Sequence, residues 1–210
     1  MTQETRLTAL SPLDGRYADK VDALRGQFSE FGLIRRRLQV EIEWLKALAA
    51  EPHFAEIPAF SAAAISGLDD LVRRFLPAEA AEIKRIETEE TNHDVKALEY
   101  WIRGKTEGNP EMLRAREFIH FACTSEDINN LSHALMLAAA RRDCLLPALE
   151  EIVARLRELA HALADTPMMC RTHGQPATPS TMGKELANVA YRLERARAGI
   201  ASIRLTGKMN

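Results

Sequence analysis

Two long stripes of apolar residues dominate the second half of the sequence. One alternates steps of three and four residues from Ile128 to Leu163, and the other resumes the same rhythm from Met182 to Ile203. Heptad spacing of this kind is typical of long helices packed side by side, so we expect two nearly antiparallel helices. Pro147 lies inside the first stripe and should kink that helix or split it in two, because proline lacks a backbone donor. Two stripes cannot cover each other on every side, so further helices are expected from other subunits or from additional chain.

The segment between the stripes, from Cys170 to Pro179, reads CRTHGQPATP. Its two prolines, glycine and two threonines predict an irregular loop that presents Arg171, His173 and Gln175 from rigid flanking helices. A histidine with a pKa near neutrality is suited to moving a proton at cellular pH. No nucleophile accompanies His173 in the sequence. The residues alone therefore predict a loop whose polar groups bind an anionic small molecule, and nothing more specific.

The composition narrows the class of protein. The 210 residues carry a net charge of −2, and acidic and basic residues are mixed along the chain. No apolar run is long enough to span a bilayer, so we expect neither nucleic acid nor a membrane as a partner. The segment from Met1 to Leu10 lacks the apolar core of a signal peptide, and Cys123, Cys144 and Cys170 form no paired motif. These features predict a cytoplasmic protein with free thiols, no disulfide framework and no metal site.

The first half of the sequence contains shorter amphipathic helices. The clearest runs from Phe31 to Leu48, and the arginines from Arg35 to Arg37 are predicted to lie on its solvated face. The break in pattern from Gly104 to Pro110 places a domain boundary close to Met112. The predicted fold class is therefore all-α, with a small N-terminal helical domain at residues 1–112 and the first part of a long-helix bundle domain at residues 113–210.

Two segments in the first half offer polar groups to a ligand. Asp14 and Gly15 predict a turn that holds Arg16 and Tyr17 at a surface corner, where chemistry alone favours a solvated arginine beside a packed tyrosine over an anion site. Further along, Asn92 is predicted to cap a helix whose first turn contains His93 and Asp94. This second segment is either a simple cap or, because a helix N-terminus attracts anions, a site for phosphate or carboxylate.

A third polar segment lies at the head of the first long helix. Thr124 and Asp127 have the spacing of a capping box, and Ser125 follows Thr124 directly. Capping accounts for one hydroxyl. Two hydroxyls in tandem, beside the free amides of a long helix, would fit a carboxylate.

The stretches Ser11 to Tyr17, His120 to Asn130 and Arg171 to Lys184 together resemble the adenylosuccinate lyase family of the bacterial type. The Arg-Thr-His element belongs to the wider fumarase/aspartase superfamily, whereas HGQPATP from His173 onward resembles the adenylosuccinate lyase form of it. The resemblance covers the whole chain. It implies a lyase that eliminates fumarate from adenylosuccinate, giving AMP, and from succinyl-aminoimidazole-carboxamide ribotide in purine biosynthesis, without metal or organic cofactor.

The resemblance also implies roles for individual residues. His173 would be the catalytic general acid, protonating the departing nitrogen as the carbon–nitrogen bond breaks. The substrate-binding residues that it implies are Arg16 and Tyr17 toward the nucleotide, Asn92, His93 and Asp94 in a second contact segment, and Thr124 and Ser125 toward the fumaryl carboxylates.

One part of the family's pattern is not found in this sequence. The catalytic base of the family is a serine on a flexible loop far downstream of Asn210, so we expect the N-terminal portion of a longer enzyme that is inactive by itself. The family assembles each active site from three subunits of a homotetramer, which implies a tetramer for the full-length protein. Two alternatives stay open: another fumarate-releasing lyase of the superfamily, similar to argininosuccinate lyase, and a non-catalytic helical scaffold.

Overall fold

The computed structural model describes residues 3–209, which are mainly α-helical and include one two-stranded antiparallel sheet. The all-α class is confirmed. The stretch Met1 to Leu10, where no signal peptide is predicted, lies partly outside the described residues. No helix within residues 3–209 is long and apolar enough to cross a bilayer.

The α-helices of the described residues range from 4 to 21 residues in length. The α-helices of the described residues are α1 (Gln3–Leu7), α2 (Arg25–Phe28), α3 (Glu30–Ala50), α4 (Ala62–Arg73), α5 (Pro77–Ile86), α6 (Asp94–Thr106), α7 (Pro110–Ala115), α8 (Ser125–Ala140), α9 (Leu146–Ala162) and α10 (Met182–Ser202). Two 3₁₀ turns occur at Asp22–Leu24 and Arg116–Phe118, and two π-helical turns at Glu87–Thr91 and Arg141–Leu145. Strands β1 (Pro167–Thr172) and β2 (Gln175–Thr181) lie between α9 and α10.

The chain folds into two compact units. The first runs through Leu137 and includes the segment from Thr206, and the second comprises Ala138–Leu205. The domain boundary expected near Met112 falls inside the first unit, because Met112 is buried in that unit's main apolar core. The division into domains at residues 1–112 and 113–210 stays a prediction about the whole protein.

Helix α3 runs through the core of the first unit. Ser29 caps its N-terminus by accepting a hydrogen bond from the Gly32 N–H, as expected of a serine at this position. Its apolar face is fully buried at Leu38, Ile42 and Leu45. Arg37, on the same helix, is only 7% exposed, so the prediction that the whole arginine triplet is solvated is wrong at this position.

Helices α9 and α10 of the second unit pack antiparallel, as the stripes predict. Arg157 pairs with Glu194, while Glu150, two turns earlier on α9, pairs with Arg197, which lies further along α10. Gly183 makes the closest approach: a Cβ there would collide with backbone atoms at the C-terminal end of α9. Apolar side chains of this pair are exposed within the described residues: Ile152 of α9 is 50% exposed and Val189 of α10 is 46% exposed.

The predicted break at Pro147 is confirmed. Helix α8 ends at Ala140, the π-helical turn Arg141–Leu145 follows, and α9 begins at Leu146 with Pro147 in its first turn. The backbone stays helical through this point, with the Leu146 N–H bonded to the Arg141 carbonyl, and the α-helical hydrogen-bond pattern is interrupted beside Pro147, which has no N–H to donate.

The segment between α9 and α10 is a β-hairpin, so the prediction of an irregular loop is wrong. Met169 pairs with Pro179 and Arg171 with Pro176, with a bulge between these two pairs. Proline forbids a helix but not an edge strand, and both strands of a two-stranded sheet are edges. The prolines therefore excluded a helix correctly without excluding regular structure.

Candidate active site

His173 lies at the tip of the hairpin. His173 and Gly174 are the two residues of the turn, and both have positive φ, at 50° and 76°, as a type I′ turn requires. The base of the hairpin is closed by hydrogen bonds from the Met182 N–H to the Thr166 carbonyl and from the Gly183 N–H to the Leu163 carbonyl. The imidazole is therefore exposed at the end of a short ribbon that is anchored on two helices.

The segment Asn92 to Asp94 enters α6 differently from the prediction. Asn92 has a left-handed backbone (φ 48°) and donates its N–H to the Glu87 carbonyl, so it closes the preceding π-helical turn rather than capping α6. The cap is His93, whose Nδ1 accepts a hydrogen bond from the Lys96 N–H at 3.3 Å. Since a neutral imidazole then carries its proton on Nε2, His93 presents a donor to solvent.

Asp94 has both carboxylate oxygens engaged. Oδ1 accepts the Val95 N–H at 2.8 Å, and Oδ2 pairs with Nη2 of Arg37 at 2.6 Å. Partial burial opposes ionisation, but the Val95 N–H and Arg37 outweigh it and lower the pKa of Asp94. The Arg37 Nε also donates to Oδ1 of Asn129 at 2.8 Å, so this one side chain joins the start of α6 to the first turns of α8.

Thr124 and Ser125 lie at the N-terminus of α8. The Thr124 N–H donates to Oδ2 of Asp127 at 2.9 Å, which is the carboxylate half of the predicted capping box. Neither hydroxyl has a hydrogen-bond partner among residues 3–209. One turn further, Ile128 packs with Val95 of α6 in a small buried apolar cluster. The structure thus brings the Asn92–Asp94 segment and the Thr124–Ser125 segment together within the first unit.

The chain immediately before Thr124 is held by α3. His120 Nδ1 lies 2.6 Å from Oε1 of Glu41, which is 1% exposed, and the Trp44 indole donates to the Phe121 carbonyl at 2.8 Å. Burial raises the pKa of Glu41 despite the opposing effect of His120, and the hydrogen bond to Glu41 raises the pKa of His120. Burial also raises the pKa of Cys123 to about 11, which makes it a poor nucleophile.

Arg16 and Tyr17 form a separate feature of the first unit. The Arg16 guanidinium carbon lies 5.7 Å from the centre of the Tyr17 ring, and both side chains are exposed. No hydrogen bond or ion pair of the described residues joins either side chain to the two segments above. The structure therefore places Arg16 and Tyr17 at the surface, as the predicted turn requires, without bringing them to the other candidates.

Strained backbone marks the same segments. The non-glycine residues with positive φ in the described part of the chain are Asn92, His120, Ala122 and His173. Asn92 and His173 are predicted site residues, and His120 and Ala122 lie four and two residues before Thr124. Such backbone costs on the order of 1–3 kcal/mol per residue and occurs preferentially at functional sites.

The sequence reasoning missed Arg37 and Asn129, which connect two of the candidate segments. A signal was present, because Arg37, Glu41 and Trp44 recur at helical spacing beside the buried face of α3. No cluster of three or more His, Cys, Asp or Glu side chains that could hold a metal ion occurs in residues 3–209.

Comparison with known proteins defines the class. A family model described as lyase matches residues 15–208, so the chain belongs to this lyase family. Its curated relatives include adenylosuccinate lyase of Escherichia coli (strain K12), 55% identical over 204 residues, and that of Haemophilus influenzae (strain ATCC 51907 / DSM 11121 / KW20 / Rd), 52% identical over 208 residues. These matches cover 97% and 99% of this chain but 44% and 45% of the relatives, so the chain spans less than half of their length.

Solved structures of related enzymes show the same fold. The 3-carboxy-cis,cis-muconate lactonizing enzyme from Pseudomonas putida matches with a TM-score of 0.63 and 27% identity, covering 87% of this chain and 39% of that one. The fumarate lyase from Mesorhizobium sp. BNC1 matches with a TM-score of 0.65 and 24% identity, covering 89% of this chain and 42% of that one. At 24% identity, the similarity to the fumarate lyase supports the fold alone.

The Glu41–His120 pair predicts a pH-dependent stability. Both groups have a raised pKa in the folded state, so the folded chain holds protons more tightly than the unfolded chain, and stability falls as pH rises. The contribution of His120 is complete below its usual pKa of 6.5 and is lost as pH rises through the folded-state pKa. Replacing the pair with Glu41→Gln and His120→Asn, where Asn tolerates the left-handed backbone, should flatten this dependence.

Urea unfolding between about pH 6 and about pH 9, across the range where histidine titrates, measures this effect. Glu43→Gln, at an exposed glutamate of the same helix, is the control and should keep the wild-type slope. Equal slopes for the double variant and the wild type would show that the buried pair does not couple protonation to folding.

Proposed function

We propose that the full-length protein eliminates fumarate from adenylosuccinate, giving AMP, and from succinyl-aminoimidazole-carboxamide ribotide in purine biosynthesis. The observation that carries this proposal is 55% identity to an adenylosuccinate lyase across 97% of the chain. The geometry supports it, because an exposed histidine is presented on an anchored hairpin and two polar segments are brought together at helix N-termini. Such termini favour the phosphate and carboxylate groups of this substrate class.

In the proposed reaction, His173 is the general acid. As the carbon–nitrogen bond breaks, its electron pair goes to nitrogen, which His173 protonates, while a base removes the proton from the neighbouring carbon and the double bond of fumarate forms. The base is the serine that the resemblance implies, in the part of the relatives' length that this chain does not cover.

The remaining candidates are proposed to bind substrate. Thr124 and Ser125 have unused hydroxyls beside the first amides of α8, which suits a carboxylate. The Nε2–H of His93 suits an anionic oxygen. Asn92 and Asp94 are assigned to the same contact segment, although the carboxylate of Asp94 is already held by Arg37 and Val95. Arg16 and Tyr17 are assigned to the nucleotide.

The direct test is fumarate release by the purified full-length protein. We expect turnover of adenylosuccinate and none of argininosuccinate, and we expect the 210 residues alone to be inactive because they lack the proposed base. Release from argininosuccinate instead would favour the alternative lyase, and no release from any succinyl compound would favour a scaffold. Sustained turnover by the 210 residues, free of host enzyme, would contradict the assignment of the base.

Replacing His173 in the full-length protein should affect chemistry more than binding. His173→Asn keeps a residue that tolerates positive φ but cannot donate a proton as an acid, so kcat should fall about 10²- to 10⁴-fold with little change in KM. His53→Asn, in the exposed connector after α3, is the matched control and should leave both constants unchanged. A raised KM with unchanged kcat would assign His173 to binding and move the search for the acid to His93.

We also propose a homotetramer in the cytoplasm. The exposed apolar side chains of α9 and α10 support self-association, because a monomer rarely leaves a long apolar face in water. Cys123, Cys144 and Cys170 form no disulfide among the described residues, which fits a reducing compartment. Light scattering that gave a monomer mass for the full-length protein at several concentrations would contradict the assembly, and recovery of the protein outside the cytoplasmic fraction would contradict the location.

A further inference from the structure

We propose that Arg37 is a positioning residue for this reaction, holding the segment that carries His93 at a fixed place relative to Thr124 and Ser125. The kinetic test of this role rests on the proposed function. The role itself rests on contacts within the first unit, and it assigns Arg37 no direct contact with substrate.

The contacts of Arg37 point in two directions. Nη2 pairs with Asp94 Oδ2 at 2.6 Å, and Nε donates to Asn129 Oδ1 at 2.8 Å. Asp94 directly follows His93, and Asn129 lies one turn after Ser125. One side chain on α3 therefore determines the distance between two segments that are far apart in sequence.

The surroundings make this bridge rigid. Arg37 is 7% exposed, and Val40, one turn further along α3, packs with Val95 and Ile128. Val95 follows Asp94 in sequence, and Ile128 precedes Asn129, so the apolar cluster lies beside both polar partners. The Arg37 side chain is 8% exposed, so little solvent can replace a partner that it loses, whereas the Asp94 side chain is 39% exposed and stays partly solvated.

Arginine is the side chain suited to this task. Its planar guanidinium has donors at fixed angles, so it can bond a carboxylate and an amide oxygen at the same time. A lysine carries one ammonium on a flexible stem, and it could keep the charge interaction with Asp94 but not the defined geometry toward Asn129. A lysine at position 37 should therefore preserve only part of the positioning of the two segments.

A merely structural role is the competing explanation. In that case removal of Arg37 would lower the stability of the first unit and leave the folded enzyme's kinetics unchanged. A positioning role predicts a loss of kcat/KM in protein that is demonstrably folded, because a displacement of about 1 Å can cost on the order of 10²-fold.

The experiment compares variants of the full-length protein. Arg37→Met should lower kcat/KM for adenylosuccinate about 10²-fold, while Arg37→Lys should lose less. Asn129→Ala keeps the ion pair between Arg37 and Asp94, and it is the test variant if Arg37→Met fails to fold. Arg36→Met is the matched control, because Arg36 is the neighbouring arginine of α3 and donates to Gln27 and Gln39. Arg37→Met combined with Asn129→Ala should be no worse than Arg37→Met alone.

Amide hydrogen exchange provides a readout independent of activity. Faster exchange at residues 94–96 and 124–127 in Arg37→Met, but not in Arg36→Met, is expected. If the wild type released no fumarate while exchange changed in this way, the proposed function would fail and the positioning of the two segments would stand. Near-wild-type kcat/KM in folded Arg37→Met and Asn129→Ala, unchanged exchange at both segments, or full additivity in the double variant would overturn the proposal.

Discussion

Two buried polar side chains on α3, Arg37 and Glu41, and the half-buried Trp44 hold the loops of the first unit in place. Arg37 binds the start of α6 and α8, Glu41 binds His120, and Trp44 binds the Phe121 carbonyl. Burying such groups without partners would be costly, so each of them favours only the arrangement in which its loop is docked. The apolar face of the same helix builds the core, and helix packing and loop position are therefore coupled through α3.

The second unit uses a different constraint to place its histidine. The close packing of α9 and α10 at Gly183, with two backbone hydrogen bonds at the base of the hairpin, fixes where the ribbon begins. The positive φ of His173 and Gly174 then fixes where it turns. Asparagine is the residue preferred at the first position of such a turn, and histidine is among the other residues that tolerate its backbone.

The sequence was most informative where a local rule decides the outcome. The heptad stripes predicted the antiparallel helices, and Pro147 predicted the break between α8 and α9, because both effects act over one or two turns. The hairpin was missed because the prolines that exclude a helix are also compatible with edge strands. Asn92 was predicted as a cap of α6, but Asn92 closes the π-helical turn Glu87–Thr91 and the capping position falls to His93.

The helical spacing of Arg37, Glu41 and Trp44 marks one face of α3, but the partners of Arg37 lie far along the chain and no local rule identifies them. We propose that this bridge makes one binding surface from two segments that are far apart in sequence. A crystal structure of the full-length protein with adenylosuccinate bound tests this proposal. We expect the His93 imidazole and the hydroxyls of Thr124 and Ser125 to contact the same substrate molecule, with Arg37 still bonded to Asp94 and Asn129 behind them; substrate bound elsewhere, or directly on the Arg37 guanidinium, would contradict the account.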